Sequence, residues 1–131
     1  MKKTVHVVGA IIKNEKKEIF CALRSPEMTL ANYWEFPGGK IEAGETPEQA
    51  LAREITEEFN CSIEVGDKVE DTTYEYEKVI VRLETYKAKL LTGEPIALEH
   101  AETKWVPREQ LLQLNFAPAD IPAVQKLIRE I

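Results

Sequence analysis

A glycine-rich turn that leads into an acidic helix is the feature that most constrains this sequence. Gly38 and Gly39 are adjacent, and adjacent glycines allow the backbone to approach a ligand closely. Thr46, which is followed by a proline, is a typical residue before a helix. Asn60 is a typical residue after one, because asparagine tolerates a left-handed backbone conformation. The sequence therefore predicts a helix over residues 47–59.

The predicted helix has an acidic arc beside an apolar one. At about 100° per residue, Glu54, Glu57 and Glu58 fall within roughly one third of the helix circumference. The neighbouring apolar arc holds Leu51, Ala52, Ile55 and Phe59. Like charges this close repel one another, and a bound cation removes the repulsion. Oxygen ligands without paired His or Cys favour Mg²⁺, with Mn²⁺ as a substitute.

This pattern resembles the signature of the Nudix hydrolases, G-x5-E-x7-R-E-U-x-E-E-x-G-U, in which U is a bulky aliphatic residue. The matching residues are Gly39, Glu45, Arg53, Glu54, Ile55, Glu57 and Glu58. Asn60 replaces the last glycine of the signature, and Cys61 replaces the final aliphatic residue. The alternative interpretation, an acidic helix that is merely solvated, requires chance agreement at all of these fixed positions.

Strand-like and helix-like segments follow one another along the chain. Strands are predicted over 4–12 and 18–24, which we expect to form a hairpin, and over 62–76, 79–91 and 104–106, with helical segments over 107–114 and 121–131. This order resembles the α/β/α sandwich of the Nudix fold, in which a mixed central sheet lies between the two helices. We therefore expect residues 1–131 to form a single Nudix hydrolase domain of the α/β class.

Composition excludes several kinds of partner. The formal charge of −6 disfavours a nucleic-acid polymer, because no basic stripe is present to contact its phosphates. A free nucleotide remains a suitable ligand if a metal ion neutralises its phosphates. No run of about 20 apolar residues or cleavage-site pattern appears, so we expect a cytoplasmic protein without a membrane partner. Both a monomer and a homodimer are compatible with the sequence.

The resemblance implies roles for the residues that match the signature. The implied metal ligands are Gly38, through its carbonyl, and Glu54, Glu57 and Glu58, which are also the implied catalytic residues. Arg53 lies four positions before Glu57, close enough for an ion pair that orients a ligand carboxylate. Glu45 is expected to tie the loop to the helix by accepting hydrogen bonds, and a plain exposed acid is the alternative.

A loop glutamate beyond the signature is a further candidate. In MutT-like members of the family such a residue joins the metal site or acts as the general base, and Glu99 stands at the corresponding place. A loop carboxylate beside a metal can accept the proton of the attacking water. His100 and Glu102 compete for this assignment, and an ordinary solvated glutamate is the alternative interpretation.

Several residues are candidates for substrate contacts. Arg24 and Lys40 carry cations that suit terminal phosphate oxygens, although surface charges are an equally good interpretation. Phe36, Tyr76 and Phe116 offer rings that can stack on a nucleobase, and a place in the core is the alternative for each.

Asp120 is the candidate for recognition of the base. The segments around it and around Phe36 resemble the MutT-like branch, in which an Asn at the matching position reads an oxidised guanine. A carboxylate accepts from an exocyclic amine, which favours cytosine, whereas a protonated Asp mimics Asn and keeps oxidised purines open. A helix N-cap without any ligand is the alternative interpretation.

Together the resemblance implies a Mg²⁺-dependent nucleoside triphosphate pyrophosphohydrolase. Such an enzyme converts a nucleoside triphosphate and water to the monophosphate and pyrophosphate, here to remove modified nucleotides, with cytosine-type or modified substrates favoured. An 8-oxo-dGTP diphosphatase is the first alternative, followed by a dinucleoside polyphosphate or nucleotide-sugar hydrolase. An alternative of another class is a non-catalytic Nudix domain that only binds a nucleotide.

Overall fold

A computed structural model describes residues 1–130 of the chain. The described strands are β1 (Lys3–Ile12), β2 (Glu18–Leu23), β3 (Trp34–Glu35), β4 (Gly38–Lys40), β5 (Ser62–Glu75), β6 (Val79–Thr92) and β7 (Glu102–Pro107), and the α-helices are α1 (Pro47–Phe59) and α2 (Ile121–Arg129). Two short 3-10 turns, Arg108–Gln113 and Pro118–Asp120, precede α2. The predicted helical segment over 107–114 is thus a 3-10 turn, and the predicted last residue of the final helix, Ile131, lies outside the described residues.

The strands form two sheets. The first has the order β4-β1-β6-β5 and is mixed, because β1 and β6 run parallel while the other neighbours are antiparallel. The second is antiparallel, with the order β3-β2-β7. The predicted hairpin of the first two strands is wrong, because both edges of β1 are occupied by β4 and β6. Only an isolated bridge between Lys13 and Ile19 links the β1 end to β2.

The two helices cover opposite faces of the strands, which confirms the predicted α/β/α arrangement. Residues of α1 pack with one set of strand side chains, including Ala10, Ile12, Phe20 and Ala22. Residues of α2 pack with the alternate set, including Ile11, Ile19 and Cys21. Successive side chains of a strand point to opposite faces, so β1 and β2 contribute to both cores. This explains why both strands are apolar almost throughout.

Helix α1 begins and ends where the sequence predicts. The Thr46 hydroxyl accepts a hydrogen bond from the backbone N–H of Gln49, and the Gln49 side chain accepts one from the backbone N–H of Thr46. Asn60 closes the helix in the left-handed conformation, with φ 54°. Neither this helix nor α2, the two α-helices of residues 1–130, is long and apolar enough to cross a membrane.

We expect Thr46→Ala to lower the free energy of unfolding by about 1 kcal/mol, because the first turn of α1 loses its side-chain acceptor. Thr46→Ser is the matched control, since it keeps a hydroxyl at the same position. Urea denaturation of both variants measures the difference. An equal loss in the two variants would show that the methyl group, not the cap, stabilises the helix.

Candidate active site

One cleft connects the acidic arc of α1 with the segment that precedes α2. Its volume is about 720 Å³, which suits a small-molecule ligand. The cleft is lined by the predicted site residues Arg24, Phe36, Gly38, Lys40, Glu54, Glu58, Tyr76, Glu99 and Asp120. Four other predicted residues, Glu45, Arg53, Glu57 and Phe116, do not line it. The structure thus gathers most of the predicted residues around one space.

The α1 end of the cleft is strongly acidic. Burial, followed by the negative charge of Glu54, raises the pKa of Glu58 to about 7, and Glu99 and Glu35 act in the same direction. Burial likewise raises the pKa of Glu54. The ionised forms of these carboxylates therefore repel one another in a partly dehydrated place, and a cation between them would stabilise the ionised forms.

Two glycines let the loop before α1 approach its neighbours closely. A Cβ atom at Gly39 would lie 2.3 Å from the carboxyl carbon of Glu54. A Cβ atom at Gly38 would lie only 1.9 Å from the backbone oxygen of Val8 on β1. Gly38 therefore permits the pairing of β4 with β1, whereas Gly39 leaves the space that the Glu54 carboxylate fills.

Arg53 joins the loop to the helix. Its guanidinium makes two bonds to Glu45, at 2.7 and 2.9 Å, and donates to the carboxylates of Glu54 at 3.0 Å and Glu57 at 2.9 Å. It also donates to the backbone oxygen of Lys40 at 3.0 Å. The bond from Arg53 lowers the pKa of the Glu45 carboxyl. Arg53 thus supplies the positive charge nearest to the acidic arc, and its orienting role stays a prediction.

The predicted metal ligands do not form a closed cage. Across residues 1–130, no group of three or more His, Cys, Asp or Glu side chains is arranged to hold a metal ion. Arg53 engages Glu57, whose side chain is 55% exposed, and Glu99 is exposed on its loop. The donors nevertheless fit a hard cation, because the carboxylate oxygens of Glu54 and Glu58 line the cleft. When these carboxylates are ionised, the surrounding positive charge is too small to balance them. A complete site at this place requires Glu57 to turn toward the cleft, which Glu99 already lines.

The two predicted phosphate contacts differ in how firmly they are held. Arg24 donates through Nη1 to Glu35 at 2.8 Å, and its guanidinium also bonds to the Thr29 hydroxyl at 3.1 Å. The other oxygen of Glu35 lies 2.8 Å from Nε2 of the buried His100. Lys40 is exposed at the edge of the cleft. Arg24 is therefore the better ordered of the two cations.

Asp120 lies buried at the other end of the cleft. Its side chain accepts a hydrogen bond from the backbone N–H of Phe36 at 3.3 Å. Burial, followed by the negative charge of Glu35, raises the pKa of Asp120 well above its ordinary value. Asp120 precedes α2, but its side chain accepts no bond from the first turn of that helix. The interpretation of Asp120 as a plain helix cap is therefore wrong.

The three predicted aromatic contacts occupy different environments. Phe36 lines the cleft, whereas Phe116 packs behind it in the core, with ring centroids 5.3 Å apart and only 4% of Phe116 exposed. Tyr76 also lines the cleft, and its hydroxyl accepts a hydrogen bond from the backbone N–H of Ala119 at 2.9 Å. Phe116 is thus a core residue, and Tyr76 anchors the turn that carries Asp120.

Sequence reasoning missed Glu35, which lies between the acidic arc and Asp120. His100 appears in the sequence only as a competitor of Glu99, although the structure places its ring against Glu35. Glu35 belongs to the segment around Phe36 that carries the resemblance, but no local pattern indicates its partners. Contacts between residues far apart in sequence are not readable from spacing.

Comparisons with known proteins identify the family of the chain. A family model described as the NUDIX domain matches residues 3–127. An 8-oxo-dGTP diphosphatase of Escherichia coli is 40% identical over 98% of this chain and 99% of its own length. A CTP pyrophosphohydrolase of the same organism is 37% identical over 94% of this chain and 90% of its own length. The solution structure of a Staphylococcus aureus MutT protein is 52% identical, with a TM-score of 0.79 over 98% of each chain. The chain therefore belongs to the Nudix family of hydrolases.

Proposed function

We propose that the protein is a Mg²⁺-dependent nucleoside triphosphate pyrophosphohydrolase that produces a nucleoside monophosphate and pyrophosphate. The observation that carries this proposal is the single cleft that joins the acidic arc of α1 to the buried Asp120. One end suits metal-bound phosphates and the other suits a base. Two relatives that match nearly the whole chain are named as nucleotide diphosphatase and pyrophosphohydrolase, which supports this reaction class. We further propose that residues 1–131 form one domain.

The residues that would hold Mg²⁺ are the Gly38 carbonyl and the carboxylates of Glu54, Glu57, Glu58 and Glu99. A cation held there would supply positive charge for the phosphate oxygens and would favour ionisation of the attacking water. Gly39 keeps Glu54 against the loop, and Arg53 holds Glu57 by an ion pair until a cation competes for it. An all-oxygen donor set favours Mg²⁺ over zinc.

The remaining residues of the cleft would bind and position the nucleotide. Arg24 and Lys40 would contact phosphate oxygens that the cation leaves uncovered. Glu99, exposed at the cleft, would accept the proton of the attacking water. Phe36 lies on the wall beside Asp120, where its ring would contact the base.

Asp120 would recognise the base as a neutral carboxylic acid. Burial favours the protonated form, which places a hydrogen-bond donor next to an acceptor. Cytosine presents the complementary pair, with an acceptor at N3 and a donor at its exocyclic amine. An ionised carboxylate would satisfy only the amine. Cytosine-type nucleotides, including modified ones, are therefore the first candidate substrates.

The same neutral acid supports 8-oxo-dGTP as a second candidate. Oxidised guanine offers a donor at N7 next to the acceptor O6, which a donor–acceptor pair on Asp120 also matches. The 8-oxo-dGTP diphosphatases among the relatives support this candidate.

A nucleotide panel assayed for released pyrophosphate with Mg²⁺ tests the reaction. We expect hydrolysis of CTP, 5-methyl-dCTP or 8-oxo-dGTP to the monophosphate and pyrophosphate. Nucleotide binding without product would instead identify a non-catalytic Nudix domain, and inorganic phosphate as the first product would contradict the proposed bond cleavage.

We expect Glu57→Gln to reduce kcat about a hundredfold or more while the protein remains folded, because a metal ligand is lost from an exposed side chain. Glu48→Gln is the matched control, since Glu48 is an exposed acid in the first turn of the same helix. Near-normal turnover of the Glu57 variant, or an equal loss in the Glu48 variant, would contradict the metal-site assignment.

The adjacent glycines provide a second test. Gly39→Ala would force the flexible Glu54 side chain out of its place, so we expect kcat/KM to fall about tenfold or more with little change in stability. Gly38→Ala would collide with the backbone of β1, so we expect it to lower the unfolding midpoint in urea. Full activity of a folded Gly39→Ala variant would show that the position of Glu54 is unimportant.

Replacement of Asp120 tests the neutral acid. Asp120→Asn keeps a donor beside an acceptor, so we expect the ratio of kcat/KM for CTP and 8-oxo-dGTP to stay within about threefold of the original. Asp120→Leu removes both groups and should lower kcat/KM for the preferred substrate by about tenfold or more. A large change of the ratio in the Asn variant would indicate that the ionised carboxylate reads the base.

A further inference from the structure

Three side chains that line the cleft, Arg24, Glu35 and His100, are joined by hydrogen bonds in a row. One oxygen of the Glu35 carboxylate accepts from Nη1 of Arg24 at 2.8 Å, and the other lies 2.8 Å from Nε2 of His100. Each carboxylate oxygen therefore has its own partner. Because both contacts are charge-assisted when the partners are cationic, the orientation of Glu35 is fixed from two sides.

His100 lies at the buried end of this row of hydrogen-bonded side chains. Its side chain is only 2% exposed, and its ring stacks on Phe59, with centroids 5.2 Å apart and planes inclined by 29°. Phe59 is fully buried at the end of α1. The next residue, Ala101, donates its backbone N–H to Leu23 at 2.9 Å. The imidazole is thus anchored to the core and holds Glu35, whereas Arg24 is held by Glu35 on one side and by the carbonyl oxygen and hydroxyl of Thr29 on the other.

Packing alone does not account for a histidine at this position. Nδ1 of His100 is buried and has no hydrogen-bond partner among the described residues. A buried polar atom without a partner is unfavourable, and an apolar side chain of similar size would avoid that cost. The contact of Nε2 with Glu35 is the feature that an apolar side chain would lose.

Arg24, Glu35 and His100 lie in the cleft that is proposed to bind the triphosphate. They line it together with Glu58 and Asp120 at its two ends. The charge of Glu35 acts on both of those ends, because it contributes to the raised pKa values of Glu58 and Asp120. Glu35 therefore lies between the acidic arc and the place proposed for the base.

We propose that His100 is a positioning residue that holds Glu35 and thereby keeps the Arg24 guanidinium in place to bind the triphosphate of the substrate. This inference rests on the proposed hydrolysis of nucleoside triphosphates. A guanidinium binds phosphate through a planar array of donors, so its orientation decides how many bonds it makes. His100 acts through Glu35 and does not itself contact the nucleotide.

Two substitutions of His100 separate its hydrogen bond from its bulk. His100→Leu removes the donor, and we expect KM for the best nucleotide to rise about tenfold while kcat stays within about twofold. His100→Gln keeps an N–H donor and should restore KM to within about threefold of the original value. Equal effects of the two substitutions would overturn the inference.

His6→Leu is the matched control. His6 is the other histidine of the chain, it also pairs with a carboxylate, Glu84, and it does not line the cleft. We expect this variant to leave KM unchanged, even if stability falls. A tenfold rise of KM in His6→Leu would show that loss of any histidine–carboxylate pair has this effect, which would overturn a specific role of His100.

A double-mutant cycle tests whether His100 acts through Glu35. In the Glu35→Ala background, His100→Leu should change KM by no more than about twofold, because the link to Arg24 is already broken. The inference would be overturned if the increases of KM in the two single variants multiplied in the double variant. The Mg²⁺ concentration for half-maximal activity should be the same in His100→Leu as in the original protein. A shift would assign the effect to the neighbouring Glu99 and overturn the inference.

A measurement without substrate separates this inference from the proposed function. The Nη1–H resonances of Arg24, which belong to the group that donates to Glu35, should be sharp and protected from exchange in the original protein and in His100→Gln, and broadened in His100→Leu. This pattern in a protein that hydrolyses no nucleotide would refute the proposed function and still support the positioning of Arg24 by His100. Unchanged Arg24 signals in a folded His100→Leu variant would overturn the inference.

Discussion

The mutual repulsion of carboxylates on one side of α1 is the constraint on which the remaining arrangement depends. Glu54 and Glu58 are drawn into a partly buried cleft, where their ionised forms are disfavoured. Arg53 offsets part of this repulsion and ties the helix to the preceding loop through Glu45. A single guanidinium cannot neutralise the whole arc, so the cleft lacks positive charge that a bound metal ion would supply.

At the Asp120 end of the cleft, burial favours a neutral side chain. Asp120 is removed from water and faces the negative charge of Glu35, so its neutral form is favoured. In the proposed function, the acidic arc would bind a cation, whereas the buried acid would bind a matching pattern of donors and acceptors. A nucleotide carries both complementary features on one molecule, because its phosphates attract metal ions and its base presents a hydrogen-bonding edge.

Local elements could be predicted from the sequence, whereas long-range contacts could not. The cap at Thr46 and the end of α1 at Asn60 depend on neighbouring residues, and both are confirmed. The pairing of β1 with β6 joins distant segments, and local patterns favoured a hairpin instead. The contact between Glu35 and His100 spans 65 positions, so no motif spacing reveals it. The buried state of Asp120 also depends on how several segments pack together.

The anchoring of the turn before α2 by the Tyr76 hydroxyl has an evolutionary consequence. The hydrogen bond to Ala119 attaches the turn that carries Asp120 to the end of β5, and not to α1. The turn proposed to recognise the base is therefore held by Tyr76 after β5 and by Phe36, whereas the proposed metal ligands lie mainly on α1. A substitution near the β5–β6 connection would shift Asp120 without replacing a proposed metal ligand. This arrangement would give related proteins a route to a different nucleotide preference with the same hydrolytic residues.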